Sequence, residues 1–128
     1  MVGIVIVSHS AKVAEGTREL ALQMAPDYEN LIAAGGLEGG EIGTDPARIM
    51  EAIQEADQGQ GVAVLVDIGS GIMSAETAIE FLEGQVEARI ADAPIVEGAI
   101  VAAVEASAGE PLEAVIAAAE ASWEDRKL

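Results

Sequence analysis

Cysteine is absent from this 128-residue chain, which excludes a disulfide scaffold and a thiolate metal site. Aromatic residues are nearly absent: Tyr28, Phe81 and Trp123 are the only three. A core must therefore be built from Ala, Val, Ile and Leu, with glycines letting backbone segments approach closely. Positive charge is also scarce, with six Lys and Arg against 23 Asp and Glu for a formal net charge of −17. Such a surface repels nucleic-acid phosphates and anionic lipid, so neither is an expected partner. No segment reaches the ~18 continuous apolar residues of a membrane span. No basic stretch precedes the apolar start Met1-Val2-Gly3, so a signal peptide is not expected and cytoplasmic residence is. Missing too are GxxxxGK[ST], GxGxxG, a GxSxG elbow and any His/Asp cluster with metal-ligand spacing, so no metal is expected.

What is present is the composition of one domain over residues 1–128, long enough to bury a real core. The acids are scattered along helical patterns instead of forming a block. That argues against a disordered acidic tail and fits a hydrated surface adapted to high salt. Short β-like runs alternate with longer helical patterns, the signature of an α/β domain: three layers around a mainly parallel central sheet.

Val2–Val7 is a continuous apolar run, as in a strand covered on both faces. Ala11–Met24 reads as a helix with Val13, Leu20 and Met24 inward, stopped by Pro26. Asn30–Ala34 reads as a strand running into the glycine-rich Gly35–Gly40 loop. Thr44 is the expected N-cap of a helix that starts near Pro46 and buries Ile49, Met50 and Ile53. Val62–Val66 is the second strongly apolar strand, and a helix capped by Ser74 is expected to follow through Leu82, with Ala78, Ile79 and Leu82 inward. Gln85–Ile90 reads as an edge strand carrying Glu87 and Arg89. Helices Ile95–Ala106 and Leu112–Trp123 close the chain. The first of these is apolar around most of its circumference, so either a second copy of the chain or the final helix must cover it.

The single histidine, His9, stands where the first strand runs out, and strand C-termini are where ligands gather in an open α/β sheet. It is either a structural histidine or, with no cysteine competing, the leading nucleophile near neutral pH. Three loops leave the ends of the first three strands: Ser8–Ser10, 35–44 and Asp67–Met73. A parallel sheet brings them to one edge. A histidine that accepts a phosphoryl group needs one exposed ring nitrogen and an acceptor that holds the other N–H. It also needs backbone amides and hydroxyls around the transferred oxygens. Asp67 suits the orienting carboxylate, and Ser10, Gly36, Thr44, Gly69 and Ser70 are the candidate phosphate cradle. So few basic residues favour a relay over a stand-alone nucleotide kinase.

The stretch Gly-Ile-Val-Ile-Val-Ser-His-Ser-Ala-Lys-Val-Ala-Glu-Gly at 3–16 resembles the opening of the phosphocarrier subunits of phosphotransferase-dependent dihydroxyacetone kinases. The likeness continues in Ala34-Gly35-Gly36, Gly43-Thr44-Asp45 and the 49–53 helix. It is strongest at Val64-Leu65-Val66-Asp67-Ile68-Gly69-Ser70-Gly71-Ile72-Met73-Ser74. The resemblance implies the mannose-type IIA fold of the phosphotransferase system (PTS) and a cytoplasmic homodimer. It further implies that His9 takes a phosphoryl group from the carrier protein HPr. The group would pass to ADP, held with magnesium on a nucleotide-binding kinase subunit, and from there to dihydroxyacetone on a third subunit. No tightly bound cofactor is implied, only a transient phosphohistidine, and the resemblance favours Nε2 as its site. The orienting carboxylate of the mannose-type domains falls on Asp67. Some family members carry fused HPr-like and enzyme-I-like domains; without them, this chain would depend on separate donors. Ser74 and Gly71 depart from the family's usual Asn and Ala. The alternative is a mannose-type IIA component of a sugar transporter, with the same phosphohistidine but a membrane-associated IIB acceptor. A non-catalytic interaction domain is the reading from another class.

Overall fold

The computed structural model describes all of residues 1–128. Alternating apolar side chains along the first strand supply both faces of a sheet, and each parallel return needs a helical crossover. The strands are β1 (Gly3–Ser8), β2 (Leu31–Gly35), β3 (Val62–Val66) and β4 (Ala88–Ile90), all parallel, in the order β2-β1-β3-β4. The helices are α1 (Ala11–Met24), α2 (Pro46–Ala56), α3 (Gly69–Phe81), α4 (Ile95–Ser107) and α5 (Leu112–Ala121), followed by a 3-10 turn over Ser122–Glu124.

β1 sits inside the sheet and is buried along its whole length. Ile4 and Ile6 point into a core shared with α1, α4 and α5, whereas Val5 and Val7 point into one shared with α2 and α3. The result is three layers, α/β/α. Each fully buried Ile, Leu or Val stabilises by roughly 1.5–3 kcal/mol relative to exposure. Helix α4 presents Gly98, Ala99, Ala102, Ala103 and Ala106 to its neighbours. At Gly98 even a methyl group would stand 2.9 Å from the Ala93 Cβ, so the small residue sets how closely this helix approaches the sheet layer. Tyr28 is the only buried aromatic; its hydroxyl donates to the Val2 carbonyl, and burial pushes its pKa up.

Four local expectations need correction. Val13, Leu20 and Met24 do not face inward: they are 44%, 52% and 63% exposed, and α1 packs through Ala14, Thr17 and Ala21. The helix lies close against its neighbours, and a seam of small residues permits the distance that large side chains would prevent. The N-cap of α2 is Asp45, whose Oδ1 accepts from Ala47 N–H at 2.9 Å, rather than Thr44. Helix α3 begins at Gly69, five residues before Ser74; the two glycines that read as loop form its first turn. The last strand is only three residues long, because Glu83 and Gly84 turn with positive φ and Gln85 N–H bonds back to Leu82. It is nevertheless an edge strand, and its shortness limits the unpaired edge it offers.

Candidate active site

The strand order changes direction between β1 and β3: the chain goes from β1 to β2 on one side and later sets β3 on the other. Loops leaving these two strands diverge and open a crevice at their C-terminal ends. In the register, Val7 pairs with Val66, so the next residues, Ser8-His9 and Asp67, meet at the mouth of that crevice. Asp67 N–H donates to the Val7 carbonyl and fixes the start of the loop.

Asp67 accepts four hydrogen bonds. Its Oδ1 receives His9 Nδ1–H at 3.0 Å and Ile68 N–H at 2.8 Å. Its Oδ2 receives the Ser8 hydroxyl at 2.9 Å and His9 N–H at 3.0 Å. Burial pushes the Asp67 pKa up, but the bonds from the His9 amide and ring, Ser8 and Ile68 outweigh it and hold the carboxyl below its ordinary range. An ionised carboxylate only accepts, so the proton of neutral His9 sits on Nδ1 and Nε2 keeps its lone pair. The two side chains are 19% and 17% exposed, enough for a partner to reach the ring edge.

At Nε2 the surroundings change. The Ser70 hydroxyl donates to it at 2.6 Å. Ser70 belongs to the first turn of α3, whose N-cap Ile68 offers no capping side chain. An uncapped helix start presents N–H groups and the positive end of the helix dipole beside the imidazole. Gly71 lets this turn lie against the ring: an added Cβ would be 3.5 Å from His9 Cε1 and 2.6 Å from Val66 Cγ1.

Three of the other expected cradle residues, Ser10, Gly36 and Thr44, make hydrogen bonds within the loops. Ser10 N–H donates to the Ser8 hydroxyl and its Oγ caps α1 at Val13 N–H. Gly36, at φ +71, donates its amide to the Ser8 carbonyl. The Thr44 hydroxyl pairs with that of Ser74 at 2.6 Å, tying the glycine-rich loop to α3, and Gly43 N–H donates to the His9 carbonyl at 2.8 Å. Of Ser10, Gly36, Thr44, Gly69 and Ser70, only Ser70 contacts the imidazole, with Gly69 opening the helix beside it. The sequence offers Ser8 only as one of several loop hydroxyls and Ser74 only as a helix cap, and gives Ile68 no role at the site. The signal for Ser8 was its place one residue before the histidine at the end of a buried strand.

Around this crevice apolar side chains are left in solvent: Ile42 at 72%, Ile68 at 62%, Ile72 at 40% and Met73 at 71% exposure. A cleft of about 340 Å³ runs from Asp67, Ile68 and Ile72 to Ile90 and Trp123. A larger one of about 570 Å³ lies along β2 and α2, without His9 or Asp67 in its walls.

A family model described as "PTS system fructose IIA component", EIIA-man, matches residues 3–116. The "PEP-dependent dihydroxyacetone kinase 2, phosphoryl donor subunit DhaM" of Listeria innocua is 39% identical over 91% of this chain and 94% of its own length. The "PEP-dependent dihydroxyacetone kinase, phosphoryl donor subunit DhaM" of Klebsiella michiganensis is 42% identical over the whole chain, which spans only 28% of that longer protein. A crystal structure titled "unknown function protein EF1359" superposes with a TM-score of 0.79 at 32% identity, covering 94% of each chain. With that match across nearly its full α/β core, the chain belongs to the EIIA-man family of the phosphotransferase system.

Proposed function

We propose that this chain is the phosphohistidine carrier of a phosphoenolpyruvate-dependent dihydroxyacetone kinase. His9 takes its phosphoryl group from the phosphohistidine of HPr. It passes the group to ADP held with magnesium on the nucleotide-binding kinase subunit, which serves the dihydroxyacetone-binding subunit. The observation that carries the reading is a single imidazole held through Nδ1 by an ionised Asp67, with Nε2 turned to an uncapped helix start. The names of relatives that match over most of this chain support the kinase as the setting.

In the first step the Nε2 lone pair forms an N–P bond while the donor's N–P bond breaks and its electron pair returns to the donor ring. In the second, a β-phosphate oxygen of ADP attacks phosphorus. The His9 N–P bond then breaks, Nε2 recovers its lone pair, and ATP forms on the partner. Nδ1–H remains on Asp67 throughout, and the carboxylate stabilises positive charge on the ring. The Ser70 hydroxyl and the Gly69 and Ser70 amides at the start of α3 donate to the phosphoryl oxygens. The ring leaves each exchange with the protonation it had before.

The exposed apolar collar of Ile42, Ile68, Ile72 and Met73 supports protein partners at this mouth, since such a patch is covered when macromolecules dock. With a net charge of −17, a high-salt setting would screen self-repulsion. The assembly is a cytoplasmic homodimer in this reading. Helix α4 has its small-residue face covered within the chain by α1 and α5. The stripe Val13, Leu20 and Met24 on α1 is therefore the better-placed face for a second copy. A monomeric mass by sedimentation in high salt would contradict the dimer.

The deciding experiment supplies labelled phosphoenolpyruvate, enzyme I and HPr in high salt. Wild type should acquire an acid-labile label that ADP-loaded kinase subunit discharges, and His9→Ala should acquire none. Discharge only to a IIB protein would instead favour the sugar-transporter component. A folded wild type that takes no label overturns the phosphocarrier reading.

A further inference from the structure

Ser8 is fully buried at the C-terminal end of β1, and its hydroxyl is bound on both sides. It accepts Ser10 N–H at 3.0 Å and donates to Asp67 Oδ2 at 2.9 Å. The first bond orients the hydroxyl and leaves its single proton for the carboxylate. The same residue's carbonyl accepts Gly36 N–H, so the strand end is anchored toward β2 as well. No other side-chain hydroxyl reaches Asp67: its remaining donors are two backbone amides and the imidazole itself.

We infer that Ser8 is a positioning residue for phosphoryl transfer, fixing the Asp67 carboxylate so that His9 keeps its proton on Nδ1 and its lone pair on Nε2. The geometry gives a polar side chain a purpose at a fully buried strand end, where an apolar one would pack without needing partners. A carboxylate held through Oδ2 by Ser8 and the His9 amide cannot rotate away, so Oδ1 stays in line with the ring N–H. Ser8 also links the site to the start of α1 through Ser10 N–H. The cap, the carboxylate and the imidazole then form one hydrogen-bonded unit, in which the bonds polarise one another. This role deepens the phosphocarrier reading and rests on it.

The test compares wild type, Ser8→Ala and Ser8→Thr by ¹⁵N NMR of the unphosphorylated imidazole and by the rate of phosphorylation from HPr. Wild type should show one tautomer, with the proton on Nδ1. Ser8→Ala should show both tautomers and accept phosphate about tenfold more slowly, the scale of one lost hydrogen bond to a charged group. Ser8→Thr, which keeps the hydroxyl, should restore both readouts. If Ser8→Ala does not fold, Ser8→Cys replaces it, because sulfur fills the space but donates weakly. A folded hydroxyl-free variant with a single Nδ1–H tautomer and the wild-type rate overturns the inference. So does a folded Ser8→Thr that behaves like Ser8→Ala. The tautomer is read without any phosphoryl donor, so failure of the wild type to be labelled would count against the phosphocarrier reading separately.

Discussion

The two nitrogens of His9 face opposite kinds of environment. Nδ1 looks into a closed arrangement in which Asp67 is bound by Ser8, by the His9 amide and by Ile68, within a strand register set by Val7 and Val66. Nε2 looks out to one serine hydroxyl, an uncapped helix start and exposed apolar side chains. The closed side has every acceptor position engaged before any ligand arrives, so it holds the ring. In the proposed exchange the open side gives up only the Ser70 bond to admit phosphorus. A carrier has to gain and lose the same group reversibly, and this asymmetry separates the part that must not move from the part that must.

Breaking the closed side should cost most. Asp67→Ala should slow phosphorylation by up to about 10⁴-fold, by analogy with loss of the orienting carboxylate in a catalytic triad, while circular dichroism shows the fold retained. An unchanged rate would remove the carboxylate from the account.

The backbone beneath the closed side offers the next test. At Gly35 an added Cβ would lie 2.6 Å from the Ser10 carbonyl oxygen and 2.8 Å from the Ala14 Cβ. Gly35→Ala should lower unfolding free energy by about 1–3 kcal/mol through overpacking, read by denaturant titration. A stability equal to wild type would mean that β2 and α1 are free to separate there.

The open side should tolerate more. Ser70→Ala removes one of several donors to the phosphoryl group and should slow transfer only about three- to tenfold, leaving the Nδ1–H tautomer intact by ¹⁵N NMR. Loss of that tautomer would show that the two sides are not separable.

The smallest effect sharpens the same contrast through pH. Because the folded Asp67 pKa is depressed, its contribution to stability is complete above the ordinary carboxylate value of about 4 and is lost as pH falls through the lower folded value. Melting temperatures from pH 5 to pH 2 should therefore fall more steeply for wild type than for Asp67→Asn. Parallel curves would contradict a depressed pKa.

The β1 run Val2–Val7 and the β3 run Val62–Val66 made the parallel sheet legible, since continuous apolar strands need helices on both faces. His9 and Asp67 followed, because both are the first polar residues with reactive side chains past those two strands. What sequence could not convey was depth and competition among close alternatives. Val13, Leu20 and Met24 look like a buried stripe by hydrophobicity, but small Ala14, Thr17 and Ala21 are what the close packing accepts. Thr44 and Asp45 are both good caps, and only the backbone decides between them. Gly69-Ser70-Gly71 reads as loop by propensity, yet tertiary contacts at β3 make it the first turn of a helix. Ser10, Gly36 and Thr44 are plausible phosphate ligands by type; in the unphosphorylated site the Ser10 oxygen accepts from Val13 N–H, the Gly36 amide donates to Ser8 and the Thr44 hydroxyl pairs with Ser74.

The central claim is that Nδ1 is committed to Asp67 and Nε2 is the exchanging atom. It is tested most directly by ¹⁵N and ³¹P NMR of the imidazole-labelled protein after phosphorylation by HPr. The account predicts phosphorus bonded to Nε2 of His9 with the proton still on Nδ1. Phosphorus on Nδ1, or on any residue other than His9, would contradict it.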